Sequence, residues 1–194
     1  AKSVHVTGVG LHSGERVALT LHPAVENSGI SFRRTDLSGE QGQVITLSPF
    51  LINDTRLSST VVTENGVRVA TIEHIMSALA AYGIDNALIE LNAPEIPIMD
   101  GSSLPFLYLL QDAGVVDQKA QKRFLRVLKT VEVQEPGKWV RFTPYNGFKV
   151  TLTIDFDHPV FNRSNQTFEI DFAGQSYVDE IARARTFGFM QEVE

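Results

Sequence analysis

Apolar and polar residues alternate from position 17, with Val17, Leu19 and Leu21 separated by Ala18 and Thr20. A period of two predicts a half-buried strand. Gly29-Ile30-Ser31-Phe32 opens a second strand. Residues 60–71, TVVTENGVRVAT, carry Asn65-Gly66 between two β-branched runs. Both of those residues tolerate positive φ, so the pattern predicts a hairpin over 60–69 with a type I′ turn. The period then changes. In TIEHIMSALAAYG, Ile72, Ile75, Met76, Leu79 and Ala80 share helical spacing. Thr71 is placed to cap that helix and Gly83 to end it. ALIEL (87–91) reads as a strand, and NAPEIPIMDGSS as a loop in which Pro94 and Pro97 prevent regular pairing. Ser102 or Ser103 then caps a helix that stops before Gly114.

The polar run DQKAQKR (117–123) carries no apolar period and reads as a linker. Beyond it the pattern predicts a meander of strands over 124–133, 138–144 and 148–156, with turns at Pro136-Gly137 and Asn146-Gly147. FEIDF (168–172) is a further strand, and Ser176–Arg185 has helical spacing through Val178, Ile181 and Ala182. Strands followed by helices, twice, predict an α+β protein of two layered domains. The first covers 1–118, with an inserted hairpin near 50–69. The second covers 123–194.

Composition narrows the functional classes. Apolar residues are 43% and charged residues 21% of 194, enough for a packed core. A net charge of -6 gives no long-range attraction to nucleic acid. The absence of cysteine excludes disulfides and thiolate metal sites. The longest apolar stretch, Leu104–Leu110, is far shorter than the roughly 20 residues of a membrane span. AKSVHVTGVG has no apolar core of a signal peptide. The expectation is a cytoplasmic protein that does not insert stably into a membrane. Nothing in the pattern sets an oligomeric state.

Glu73-His74 falls in the first turn of the predicted 71–83 helix. A helix N-terminus favours a carboxylate and a neutral imidazole. The pair therefore offers a general base beside a metal ligand, although acidic residues also favour first turns for dipole reasons alone. No two of the five histidines stand three to five apart, so no helix presents a zincin pair. His12 lies in the glycine-rich GVGLHSG (8–14), which has neither dinucleotide-binding spacing nor a P-loop lysine and reads as a tight turn. Asp100 follows a stiff loop and is suited to a turn or to orienting a ligand residue. Thr186 has a hydroxyl able to donate to an oxyanion, and Phe187 and Phe189 beside it could wall an apolar groove or fill a core. Serine-nucleophile signatures are absent.

Five segments together are more specific. TGVGLHSG (7–14), TIEHIMSALAAYGIDN (71–86), APEIPIMDGSS (93–103), IDFDHP (154–159) and ARARTFGFM (182–190) resemble, in order and approximate spacing, the UDP-3-O-acyl-N-acetylglucosamine deacetylases of lipid A synthesis in Gram-negative bacteria. The resemblance implies two α+β domains packed helix layer against helix layer, joined near 117–123. It implies zinc-dependent removal of acetate from UDP-3-O-(3-hydroxyacyl)-N-acetylglucosamine. On it, Glu73 is the general base and His74 a zinc ligand. Thr186 steadies the tetrahedral oxyanion, Phe187 touches substrate, and Leu57 lines the site from the inserted hairpin. Lys138 and Phe156 contact the nucleotide side, Val193 begins the acyl-chain passage, and Asp100 orients a ligand from behind. The family takes two further zinc ligands from an H-K-x-x-D helix, and no such sequence occurs here. The expectation is therefore an incomplete second domain, exposed apolar surface, and no hydrolysis by this polypeptide alone. The alternative is a non-catalytic binding module that keeps the fold.

Overall fold

A computed structural model describes residues 1–189. The chain is a mixed α+β protein with several sheets and few helices. It divides into two compact units: Ala1–Lys122 with the chain from Ile181 onward, and Arg123–Glu180.

The first unit is built on a five-stranded sheet. Its strands are β1 (Val4–Val9), β2 (Arg16–Pro23), β3 (Ile30–Arg34), β4 (Ile45–Thr46) and β8 (Ala87–Leu91), in the order β1-β2-β8-β3-β4. Only β3 and β8 run parallel. The alternation in β2 sends Val17, Leu19 and Leu21 inward, where they join Phe32, Ile89 and Leu91 in the core. Helices α1 (Glu73–Ala81) and α2 (Leu104–Ala113) pack together, and Ile75, Ala78, Leu79, Phe106, Leu107 and Leu110 supply their buried side chains.

A separate three-stranded sheet joins β5 (Ile52–Asp54), β6 (Thr60–Val62) and β7 (Arg68–Val69). The β6–β7 hairpin forms, but its turn is not type I′. Gly66 alone takes positive φ, and its N–H donates to the Thr63 carbonyl while Thr63 N–H donates to Val67. That is a type I turn closed by a left-handed glycine, the usual three-residue hairpin loop. Thr63 Oγ1 tightens it by bonding Asn65 and accepting the Val67 N–H.

The second unit contains two antiparallel ribbons rather than one meander. β9 (Val131–Glu135) pairs with β10 (Lys138–Phe142), and β11 (Lys149–Thr153) pairs with β12 (Thr167–Asp171). Pro136-Gly137 makes the β9–β10 turn, with Gly137 at φ 76. Every residue of β9, β10 and β11 is exposed, while β12 buries Ile170. The helix expected over 176–185 is only α3, Tyr177–Glu180. The carbonyl of Ala182, which a longer helix would use, instead accepts the N–H of Leu104, and Thr186 N–H donates to Gly101. Tertiary hydrogen bonds have replaced the helical ones.

Candidate functional site

Glu73 is the first residue of α1 and is half-buried, as is His74. Its position is fixed from outside the helix. The Ser59 N–H donates to Glu73 Oε2 at 2.9 Å, and the Ile72 N–H returns a bond to the Ser59 carbonyl at 3.2 Å. Two reciprocal bonds thus tie the entrance of α1 to the segment before β6. Among the described residues Glu73 Oε1 has no hydrogen-bond partner.

Thr71 does not cap α1 as its sequence position suggested. The residue before the helix is Ile72, without a side-chain cap. Thr71 is 2% exposed at φ 59, and its hydroxyl points away from the helix to donate to Glu95 Oε1 at 2.9 Å. A left-handed backbone costs a β-branched residue about 1–2 kcal/mol. Leu57 (φ 62) and Met99 (φ 56) are in the same region of backbone space. Leu57 is two residues before Ser59, Thr71 two before Glu73, and Met99 one before Asp100. Among the described residues the fourth non-glycine residue with positive φ, Asn27 (φ 66), lies between β2 and β3, where asparagine tolerates that region; the other three stand beside candidate residues.

Glu95 holds this region together, and no motif singled it out. It is 2% exposed. Its carboxylate accepts the His12 N–H at 3.1 and 3.2 Å, the Ser13 N–H at 2.9 Å and the Thr71 hydroxyl. Burial pushes the Glu95 carboxyl up. The N–H groups of His12 and Ser13 and the hydroxyls of Ser13 and Thr71 outweigh it, leaving Glu95 below the usual glutamate range. The one signal in the sequence is an acid among apolar residues in PEIPI, where only a satisfied carboxylate can be buried.

Asp100 lies in the turn that follows. It accepts the N–H and hydroxyl of Ser102 at 3.0 and 2.7 Å, and Arg185 Nη2 is 3.8 Å away. The Ser102 hydroxyl is the largest influence holding its carboxyl below the usual aspartate range. Thr186 N–H donates to the Gly101 carbonyl at 2.8 Å, so Asp100, Arg185 and Thr186 are brought together. Thr186 is exposed, and among the described residues its hydroxyl has no partner. Phe187 is 52% exposed and meets Phe189 edge-on at 5.7 Å. Leu57 is exposed beside the Ser59–Glu73 link.

Lys138 and Phe156 belong to the second unit. Lys138 is the exposed first residue of β10 and pairs with Glu135 at 2.9 Å. Phe156 packs on Phe161 at 5.3 Å. Val193 lies outside the described residues.

His74 is the ligand that the resemblance assigns to zinc. Among the described residues no group of three or more His, Asp or Glu side chains converges to hold a metal. A catalytic zinc takes three protein ligands and a water. The donor set described here does not by itself fit that ion. Among the described residues no helix is long and apolar enough to cross a membrane.

The comparisons extend along the whole chain. A family profile described as UDP-3-O-acyl N-acetylglycosamine deacetylase matches residues 1–194. The chain is 85% identical over 194 residues to the UDP-3-O-acyl-N-acetylglucosamine deacetylase of Neisseria meningitidis serogroup C (strain 053442). It is 63% identical over 193 residues to the protein of that name from Chromobacterium violaceum, and 50% over 193 residues to that from Haemophilus influenzae (strain PittEE). In each case all of this chain is covered, and it spans 63% of the relative's length. With the profile matched from its first residue to its last, this chain belongs to the UDP-3-O-acyl N-acetylglycosamine deacetylase family.

Proposed function

We propose that this chain is the part of a lipid A deacetylase that supplies the general base, one zinc ligand and one oxyanion donor. The substrate is UDP-3-O-(3-hydroxyacyl)-N-acetylglucosamine, and the products are acetate and the free amine. The observation that carries the reading is the Glu73 carboxylate. One of its oxygens is fixed by the Ser59 N–H and the other has no hydrogen-bond partner among the described residues, at the start of a helix whose next residue is His74.

Amide hydrolysis needs a nucleophile and a place for negative charge. Glu73 Oε1 accepts the proton of a water as its oxygen attacks the acetyl carbonyl carbon. The Thr186 hydroxyl donates to the oxygen that becomes negative. Collapse breaks the C–N bond, and a protonated basic side chain gives the leaving nitrogen its proton. Zinc would supply Lewis acidity, with His74 as one ligand of a set completed by residues beyond those described here. Leu57 and Phe187 offer exposed apolar contacts. Lys138 and Phe156 meet the nucleotide side, Val193 the acyl chain, and Asp100 orients a ligand residue from behind, in the turn whose Gly101 carbonyl holds the Thr186 N–H. The protein works in the cytoplasm.

The test is to incubate the full-length protein with the UDP-linked substrate and follow acetate and amine together. Equimolar release is expected. Substrate binding without release would favour the binding-module alternative.

A further inference from the structure

Glu95 lies outside the groups that carry the reaction, yet it bonds Thr71, two residues before Glu73, and ties it to the 10–14 turn. Its carboxylate clamps the 10–14 turn through the His12 and Ser13 N–H groups and holds the Thr71 hydroxyl. Its backbone is bridged to Ala70 in parallel. The Ala70 N–H donates to Pro94 at 2.8 Å, and the Ile96 N–H to Ala70 at 3.0 Å. Backbone on one side and side chain on the other therefore fix residues 70–71 to 94–96. Thr71 is left-handed, two residues before Glu73, and both Thr71 and Glu95 are 2% exposed. A β-branched residue keeps a left-handed backbone only where its surroundings over-determine it. Beside the main-chain bridge at Ala70 and the Ile72 N–H to Ser59 carbonyl bond that follows, the side-chain bond that holds Thr71 among the described residues is the one to Glu95.

We propose that Glu95 is a positioning residue, which sets the direction in which Glu73 and His74 leave the chain by holding Thr71 in its left-handed conformation. The clamp works without touching substrate. Released, Thr71 falls back to an ordinary backbone, the first turn of α1 rotates, and the bond between Glu73 and the Ser59 N–H is lost. A displacement of about 1 Å at a catalytic group is enough to cost a hundredfold in rate. This rests on the reading of Glu73 given above.

The experiment uses the full-length protein and four variants: Glu95→Gln, Glu95→Gln with Thr71→Gly, Thr71→Val, and Glu73→Ala. Glu95→Gln is expected to lower kcat for acetate release by about tenfold to a hundredfold, with KM changed by less than about twofold. Glycine adopts the left-handed region without help, so the double variant is expected to recover most of the lost kcat. A role confined to stability predicts no such recovery. Full kcat in Glu95→Gln, or a loss the double variant leaves untouched, overturns the proposal. If Glu95→Gln does not fold, Thr71→Val removes the same bond while nearly keeping the shape. Its kcat is expected to fall selectively, and an unchanged kcat overturns the proposal. Glu73→Ala separates the two ideas. Should it retain turnover, the assignment of the base fails. Should it be inactive while Glu95→Gln is fully active, only the positioning role fails.

Discussion

Gly10 and Gly14 stand four residues apart in one turn, and alanine at each should have a different effect for a different reason. A Cβ at Gly10 would lie 2.2 Å from Ser13 Oγ, 2.5 Å from Glu95 Oε2 and 3.0 Å from Glu95 Cδ. The serine can rotate away, giving up its 3.3 Å bond from the Glu15 N–H and its hydroxyl's hold on Glu95. The carboxylate cannot retreat easily, because it is buried and bound to His12, Ser13 and Thr71. Clearing the clash requires a shift of about half an ångström, which stretches the bonds to Oε2. Each hydrogen bond to a charged group contributes about 1.5–3 kcal/mol, and overpacking adds about 1–3. Alanine returns about 0.4–1 by restricting the unfolded chain. Gly10→Ala should therefore cost about 2–4 kcal/mol. Gly14 has φ 66 and nothing within 4 Å of its Cβ, so Gly14→Ala should cost only the left-handed backbone, about 1–2 kcal/mol. Urea unfolding of the full-length protein followed by circular dichroism measures both. Hydrogen exchange of the 8–14 peptide localises the effect, and protection should be lost in Gly10→Ala first. The reasoning is refuted if Gly10→Ala is as stable as the parent, or loses less than Gly14→Ala.

Glu95 also links this region to pH. Its folded value lies below the unfolded reference of 4.5, so the unfolded chain binds the proton more readily. The stability it contributes is complete above 4.5 and is lost as pH falls through the lowered folded value. Stability measured against pH should therefore fall less steeply below 4.5 in Glu95→Gln than in the parent, and an identical slope would contradict this. Thr186→Val removes a hydroxyl while keeping the shape. It should lower kcat about tenfold to a thousandfold with little change in KM, and a change in KM alone would move Thr186 from the oxyanion to substrate binding.

Periodic elements were legible in the sequence because each is set by its own residues. Val17, Leu19 and Leu21 alternate in β2 and are all buried. α1 ends as its glycine indicates, with Gly83 at φ 63. Features set by distant partners were not legible. Thr71 occupies a capping position in sequence, yet it follows Glu95, 24 residues away. The helix expected over 176–185 is cut short because Ala182 and Thr186 bond to Leu104 and Gly101. Asn65-Gly66 marked the hairpin but not its turn type, since Thr63 offers a competing hydroxyl. The site follows the same division. Glu73-His74 is visible because both residues are adjacent on one helix start. The Ser59 N–H that fixes Glu73 is invisible because any residue but proline could supply it.

The central claim is that Glu73 acts as base and His74 as ligand, two neighbours with separable roles. The most direct measurement is turnover and zinc content on the same preparations of full-length Glu73→Ala and His74→Ala. The account predicts that Glu73→Ala keeps its zinc and loses most of its turnover, while His74→Ala loses both. Retained turnover in Glu73→Ala, or an undiminished zinc content in His74→Ala, would contradict it.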